Sequence, residues 1–140
     1  MPNETGILPT ETRVPISSAA DIVTARQRGR ALALELGFEG PDVTVIAAAI
    51  SEVSRNIVEY AKAGEIVLRA ENHGAKQGLC VVAADQGPGI PDVAQAMQYG
   101  YSTRRGLGVG LPGAKLLMDE FDIVSKVGQG TTVTMKKWLH

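Results

Sequence analysis

Leu79-Cys80-Val81-Val82-Ala83-Ala84 runs without a polar break into Asp85-Gln86-Gly87-Pro88-Gly89-Ile90, and the change of character at residue 85 decides how the rest of the chain is read. Six apolar residues in a row, ended by a turn, suit a strand buried on both faces, since a surface strand would alternate. Gly87 and Gly89 permit backbone angles closed to other residues and, lacking side chains, let a flat ligand approach the main chain. The carboxylate of Asp85 stands at the strand exit as one anchored acceptor on a pocket floor. Such a group can take a hydrogen bond from an exocyclic amine such as that of adenine. Taken alone, the stretch reads first as an ordinary turn, because Asp, Gly and Pro dominate turns for local reasons.

At 140 residues the chain has room for one domain that buries roughly two thirds of its unfolded surface. Residues 1–10, polar and carrying Pro2 and Pro9, are expected to form a flexible N-terminus, and residues 11–140 a single domain. Fourteen basic against fifteen acidic side chains leave no electrostatic footprint for nucleic acid or an anionic membrane, so neither is expected as a partner. Cys80 is the one cysteine, which excludes disulfides and cysteine metal clusters and suits a small buried hydrophobe in a reducing compartment. The start lacks a basic region followed by an apolar one, and nowhere do eighteen apolar residues run together. A soluble, cytoplasmic protein is expected.

Upstream, Glu11 to Ile16 alternates as a short strand, and Pro15 argues for an edge or terminal position. Ser17 and Ser18 offer a helix cap. From Asp21 to Leu36, apolar residues at Ile22, Val23, Ala25, Ala31, Leu32 and Leu36 approximate helical spacing, with Gly37 as the stop. Arg26, Arg28 and Arg30 read as a solvated face rather than a docking surface. A second helix is expected after Pro41-Asp42 and to about Tyr60, because Val43, Ile46, Ile50, Val53, Ile57 and Tyr60 recur every three or four residues. Glu52, Asn56 and Glu59 make a polar line beside that stripe. For Glu59 a solvent boundary is explanation enough. Glu52 and Asn56, a carboxylate and an amide oxygen one turn apart, can hold Mg²⁺ and a reacting hydroxyl in one cleft.

Downstream, Glu65–Ala70 and Leu79–Ala84 are expected to pair as a hairpin across the polar link 71–78, which leaves His73 on the surface, as His140 is at the chain end. A short helix is expected over Pro91–Gln98 and another from Pro112 to about Glu120. Phe121–Val127 and Thr131–Trp138 read as two strands around Gly128-Gln129-Gly130. Gly106-Leu107-Gly108-Val109-Gly110-Leu111 resembles a phosphate cradle, and three readings compete for it. Gly108 to Gly113 matches G-x-G-x-x-G but lacks the preceding strand that a dinucleotide fold requires. A Walker loop fails because Ala114 stands where its lysine should be. A glycine lid that closes over a triphosphate with backbone N–H contacts uses the other motifs as well.

In order along the chain, Glu52-Val53-Ser54-Arg55-Asn56, Asp85-Gln86-Gly87-Pro88-Gly89, Gly106-Leu107-Gly108-Val109-Gly110 and Gly128-Gln129-Gly130-Thr131 resemble the N box, first glycine box, lid and last box of the GHKL superfamily of ATPases and kinases. That resemblance implies a Bergerat-type α/β (α+β) two-layer sandwich, with a mixed, mainly antiparallel sheet and helices on one face. More closely, Asp21-Ile22-Val23, Gly29-Arg30, Leu117 to Phe121 and Lys137-Trp138-Leu139 look like the RsbT-type switch serine/threonine kinases of bacterial stressosome pathways.

The resemblance implies ATP and Mg²⁺ as cofactors. Asn56 would coordinate the metal, Asp85 would receive the adenine amino group, Thr131 would assist at the base, and Gly87 and Gly89 would line the pocket floor. Gly106, Leu107, Gly108, Val109 and Gly110 would close over the phosphates. Glu52 would act as general base toward a protein hydroxyl, and Arg104 and Arg105 could reach the γ-phosphate, since guanidinium binds phosphate in a fork. The implied partners are a STAS-domain antagonist as substrate, a PP2C-type phosphatase that the released kinase activates, and a large stressosome complex. Three rivals remain: an RsbW-type anti-sigma factor kinase that sequesters a sigma factor, a phosphatase activator in which ATP only sets conformation, and a dinucleotide enzyme.

Overall fold

The structure, a computed structural model, describes residues 11–97 and 110–140. The N-terminal segment 1–10 and residues Arg104, Arg105, Gly106, Leu107, Gly108 and Val109 lie outside the described residues. Strand β1 (Glu11–Ile16) leads into helices α1 (Ala19–Leu36) and α2 (Gly40–Asn56) and a π-helical turn (Ile57–Ala61). The hairpin β2 (Gly64–His73) and β3 (Lys76–Asp85) comes next, then α3 (Val93–Ala96), α4 (Gly110–Leu117) and the hairpin β4 (Glu120–Lys126) and β5 (Gly130–Trp138). The strands form one sheet in the order β1-β2-β3-β5-β4, and all four pairings are antiparallel. The α/β sandwich is therefore as expected, with the strand that ends in Asp85 at its centre. Pro15 sits on the edge strand β1, where a missing N–H costs no ladder bond inside the sheet.

One face of the sheet is apolar. Ile66, Leu68, Leu79, Val81 and Met135 on it are fully buried against Ile46, Ile50, Val53 and Ile57 of α2 and its π turn. Each such side chain contributes about 1.5–3 kcal/mol on burial, so this layer supplies the bulk of the driving force. The other face alternates with it and is largely polar. Cys80 is nonetheless buried there, between its cross-strand neighbours Arg69 and Lys136. Both of those cations reach Glu71, at 3.6 and 3.1 Å, so their apolar stems roof the thiol. Burial pushes the Cys80 thiol above its ordinary pKa. A strand buried on both faces is thus realised at Cys80 but not at Val82 and Ala84, which are half-buried on the helix-free side.

Several boundaries differ from the sequence expectation for local reasons. Ser18 stands at the N-cap of α1 but makes no capping bond. Instead Asp21, three residues on, accepts from the Ser17 amide at 2.8 Å and from the Ser17 and Ser18 hydroxyls at 3.2 and 3.3 Å. The far end closes at the expected glycine: Gly37 adopts φ 102°, its amide bonds to Leu34 and that of Phe38 to Ala33, a Schellman motif. Helix α2 does not continue to Tyr60. After Asn56 the chain passes into the π turn, closed by a bond from Lys62 N–H to the Ile57 carbonyl at 2.8 Å, an i to i+5 geometry that re-aims the residues it contains.

The β2–β3 link shrinks to Gly74-Ala75, with His73 and Lys76 still paired. His73 is exposed as expected, its ring stacked 6.4 Å from that of Trp138. The short helix near Pro91 is the single turn Val93–Ala96, capped by the Asp92 carboxylate on the Gln95 amide at 3.0 Å. Helix α4 starts two residues before Pro112 and stops at Leu117, because β4 takes over from Glu120. Among the described residues no helix is long and apolar enough to cross a membrane.

Candidate functional site

Asp85 is the last residue of β3, and the glycine turn after it is arranged around one of its oxygens. Oδ1 accepts from the Gly87 amide at 2.9 Å and from the Thr131 amide at 3.2 Å. Among the described residues no hydrogen bond falls on Oδ2. The first bond is a local Asx turn. The second crosses to the start of β5 and exists because Gly130, at φ 118°, lets that strand begin against the backbone of residue 85. A Cβ on Gly130 would stand 2.1 Å from the Asp85 carbonyl oxygen.

The glycine turn is tied to the β4–β5 turn a second time by the Gly128 amide on the Pro88 carbonyl at 2.8 Å. Gly89, at φ 79°, lies so close beneath this contact that a Cβ would meet the Lys126 carbonyl oxygen at 2.3 Å; a Cβ on Gly87 would strike Ala61 at 2.5 Å. Both glycines are thus required by the packing of the pocket wall. Ser125, which no motif in the sequence singles out, is the knot of this wall. Its hydroxyl accepts from the Ile90 amide at 2.7 Å, lies 2.7 Å from the Thr131 hydroxyl and 3.3 Å from the Gly130 carbonyl. Its inward position on an alternating β4 strand is the one signal that could have found it.

Asn56, Asp85, Gly89 and Thr131 line one narrow recess together with Tyr60 and Ile90. It opens into a cleft of about 120 Å³ bounded by Asn56, Tyr60, Pro88, Ile90, Pro91 and Leu111. Tyr60 reaches this cleft because the π turn brings it there, rather than extending the core stripe. A larger open hollow of about 710 Å³ lies against Gly64, Glu65, Ala84, Gln86 and Thr132. It shares Asp85 but not Asn56, and its shallow, small-residue lining suits a surface depression. The narrower cleft is the one that Asn56 and the glycine turn share.

Glu52 sits one turn before Asn56 on α2. Its Oε1 accepts from the Gly110 amide at 3.0 Å, at the first residue of α4, and its Oε2 from Arg55 at 2.8 Å. The carboxylate is therefore held next to Leu111 of the cleft wall without itself lining the recess. Gly110, expected to contact phosphate, is the first residue of α4, with φ 63° and its amide donated to Glu52. Glu59 is exposed.

This arrangement fits a purine nucleotide and its metal. An acceptor oxygen is left over at the strand end, an apolar wall stands beside it, and the Asn56 amide shares the recess. The chain matches the histidine kinase-like ATPase domain over residues 16–137. It belongs to that family. Within it, the chain is 51% identical over 127 residues to the serine/threonine-protein kinase RsbT of Bacillus subtilis, covering 91% of this chain and 96% of that protein. It is 33% identical over 121 residues to the anti-sigma F factor of Caldanaerobacter subterraneus subsp. tengcongensis, and 31% to that of a Thermoanaerobacter species. Each of these matches covers 82% of this chain and 83% of the relative. The recess that Asp85 and Asn56 share lies inside the matched residues.

Proposed function

We propose that the protein is an ATP-dependent serine/threonine kinase whose substrate is a STAS-domain antagonist and which, once released, binds and activates a PP2C-type phosphatase in a cytoplasmic stress-response switch, with a stressosome as the larger assembly. The observation that supports this most is the shared recess of Asn56 and Asp85, with a held carboxylate, Glu52, one turn along the same helix. Asp85 Oδ2 takes the adenine amine. Asn56 would hold Mg²⁺, which when bound supplies neutralisation of the phosphate charge. Glu52 receives the acceptor hydroxyl. A lone pair of the serine or threonine oxygen forms the new bond to the γ-phosphorus, the bond from that phosphorus to the bridging oxygen breaks with its electron pair leaving on ADP, and the hydroxyl proton passes to Glu52. Little covalent work falls to the protein, because phosphoryl transfer is mainly positioning and charge stabilisation. Arg104 and Arg105 are the candidate cations for the γ-phosphate.

The test is labelled ATP mixed with a purified STAS-domain protein. Transfer to a serine or threonine is expected, lost in Glu52→Ala and in Asn56→Ala. Transfer that survives both substitutions unchanged overturns the assignment. The anti-sigma relatives favour a second reading, a kinase that also sequesters a sigma factor. A stable complex with a sigma subunit and none with a phosphatase would select it.

A further inference from the structure

We propose that Arg55 is a positioning residue for phosphoryl transfer: its guanidinium aims the Glu52 carboxylate at the acceptor hydroxyl. The inference rests on the kinase reading above, in which Glu52 takes the hydroxyl proton.

The two side chains lie three residues apart in the last turn of α2, and the Arg55 Nη1–Glu52 Oε2 distance is 2.8 Å. The Glu52 side chain is 13% exposed and that of Arg55 36%, so the carboxylate faces inward while the cation reaches it from the solvent side. An ion pair open to water on one side contributes little to folding. Its consequence lies in direction. The Gly110 amide holds Oε1 and Arg55 holds Oε2, so the carboxylate plane is set from two elements, and the free lone pair on each oxygen points where those two donors do not. With either donor gone the group could rotate about its side-chain bonds. In a loose phosphoryl-transfer transition state the hydroxyl proton leaves late, and orientation counts for more than basicity. Arginine suits the task better than lysine, because its planar fork holds a direction whereas an ammonium is a point charge.

The experiment measures phosphate transfer from labelled ATP to a purified STAS-domain protein, and ATP affinity by calorimetry, for Arg55→Ala, Arg55→Lys, Glu52→Gln and the double variant Glu52→Gln/Arg55→Ala. Arg55→Ala is expected to lower kcat by about 10- to 100-fold, part of the factor a positioned base contributes, with ATP affinity within about twofold of the parent. Arg55→Lys should fall between. In the Glu52→Gln background the second substitution should add nothing, because the residue through which Arg55 acts is already lost. An equal loss from Arg55→Ala in both backgrounds, or no loss in the parent, overturns the role of Arg55 while leaving the kinase reading intact. A Glu52→Gln variant that transfers phosphate at the parental rate, or a parent that transfers none, overturns the kinase mechanism and this inference with it.

Discussion

One oxygen of Asp85 is bonded into the fold and the other takes no bond among the described residues, and that division makes the proposed ligand role separable from the structural one. In Asp85→Asn the amide oxygen can keep the bonds from Gly87 and Thr131, while an NH₂ replaces the acceptor proposed for an adenine amine. The expected result is ATP binding weaker by about 10- to 100-fold, the loss of one charge-assisted bond worth about 1.5–3 kcal/mol, with little change in the urea midpoint. Calorimetry and denaturation on the same preparation check both halves. Asp85 is legible in the sequence because an acid between an apolar run and two glycines is an uncommon conjunction. Ser125 is not, since a serine in a strand carries no local mark, and its three contacts come from Ile90, Gly130 and Thr131, distant or across a turn. Arg55 stands in full view inside the Glu52–Asn56 motif, but its direction toward Glu52 only emerges once the helix is built.

Helices α1 and α2 pack together at Gly29 and Ile50: a Cβ on Gly29 would lie 2.2 Å from the Ile50 Cδ1, and Ile50 is fully buried. Gly29→Ala gains about 1 kcal/mol of helix propensity but overpacks the core by about 1–3 kcal/mol, so a net loss is expected. Ile50→Val removes the offending methyl and alone costs about 0.5–1.5 kcal/mol. The double variant should therefore be more stable than the sum of the single losses by at least about 0.5 kcal/mol, measured by denaturation in a double-mutant cycle. At the start of α1, the Ser17 amide bonded to Asp21, helped by the two serine hydroxyls, holds the Asp21 carboxyl below its ordinary value of 3.8. A pKa lower in the folded than the unfolded state means the contribution is fully present above the ordinary value and is lost as the pH falls through the folded one. Asp21→Asn should thus lower the unfolding free energy at pH 7, and its difference from the parent should shrink as the pH is taken below 3.8. Periodicity foretells both helices and the Gly37 stop. It misses the π turn because Ile57 and Tyr60 satisfy an α-helical spacing equally well, and nothing in the residues themselves states that Lys62 will bond five residues back.

Across the molecule, the sheet is covered by helices on one side and left to charged side chains on the other. Cys80 tests that construction. Its thiol is fully buried beneath the Arg69 and Lys136 stems, and burial keeps it protonated, so a disulfide reagent should modify the native protein about a hundredfold or more slowly than the unfolded chain. The rate should rise along the urea transition, and full reactivity in native buffer would show that the polar face is open. Residue order, with the family resemblance its motifs carry, was enough to lay out the succession of strands and helices, a mainly antiparallel sandwich, and four of the residues that meet in the recess: Asn56, Asp85, Gly89 and Thr131. The elements come from periodicity, and the sandwich and the recess residues from short motifs and the resemblance they carry. Four features came only with the folded molecule: which oxygen of Asp85 is bonded into the glycine turn, the tie that Ser125 makes across the wall, the facing of Tyr60 into the cleft, and the hold of Arg55 and Gly110 on Glu52. The cause is common to all four: each depends on hydrogen bonds or close approaches whose direction is set only once the helices and strands have formed and packed.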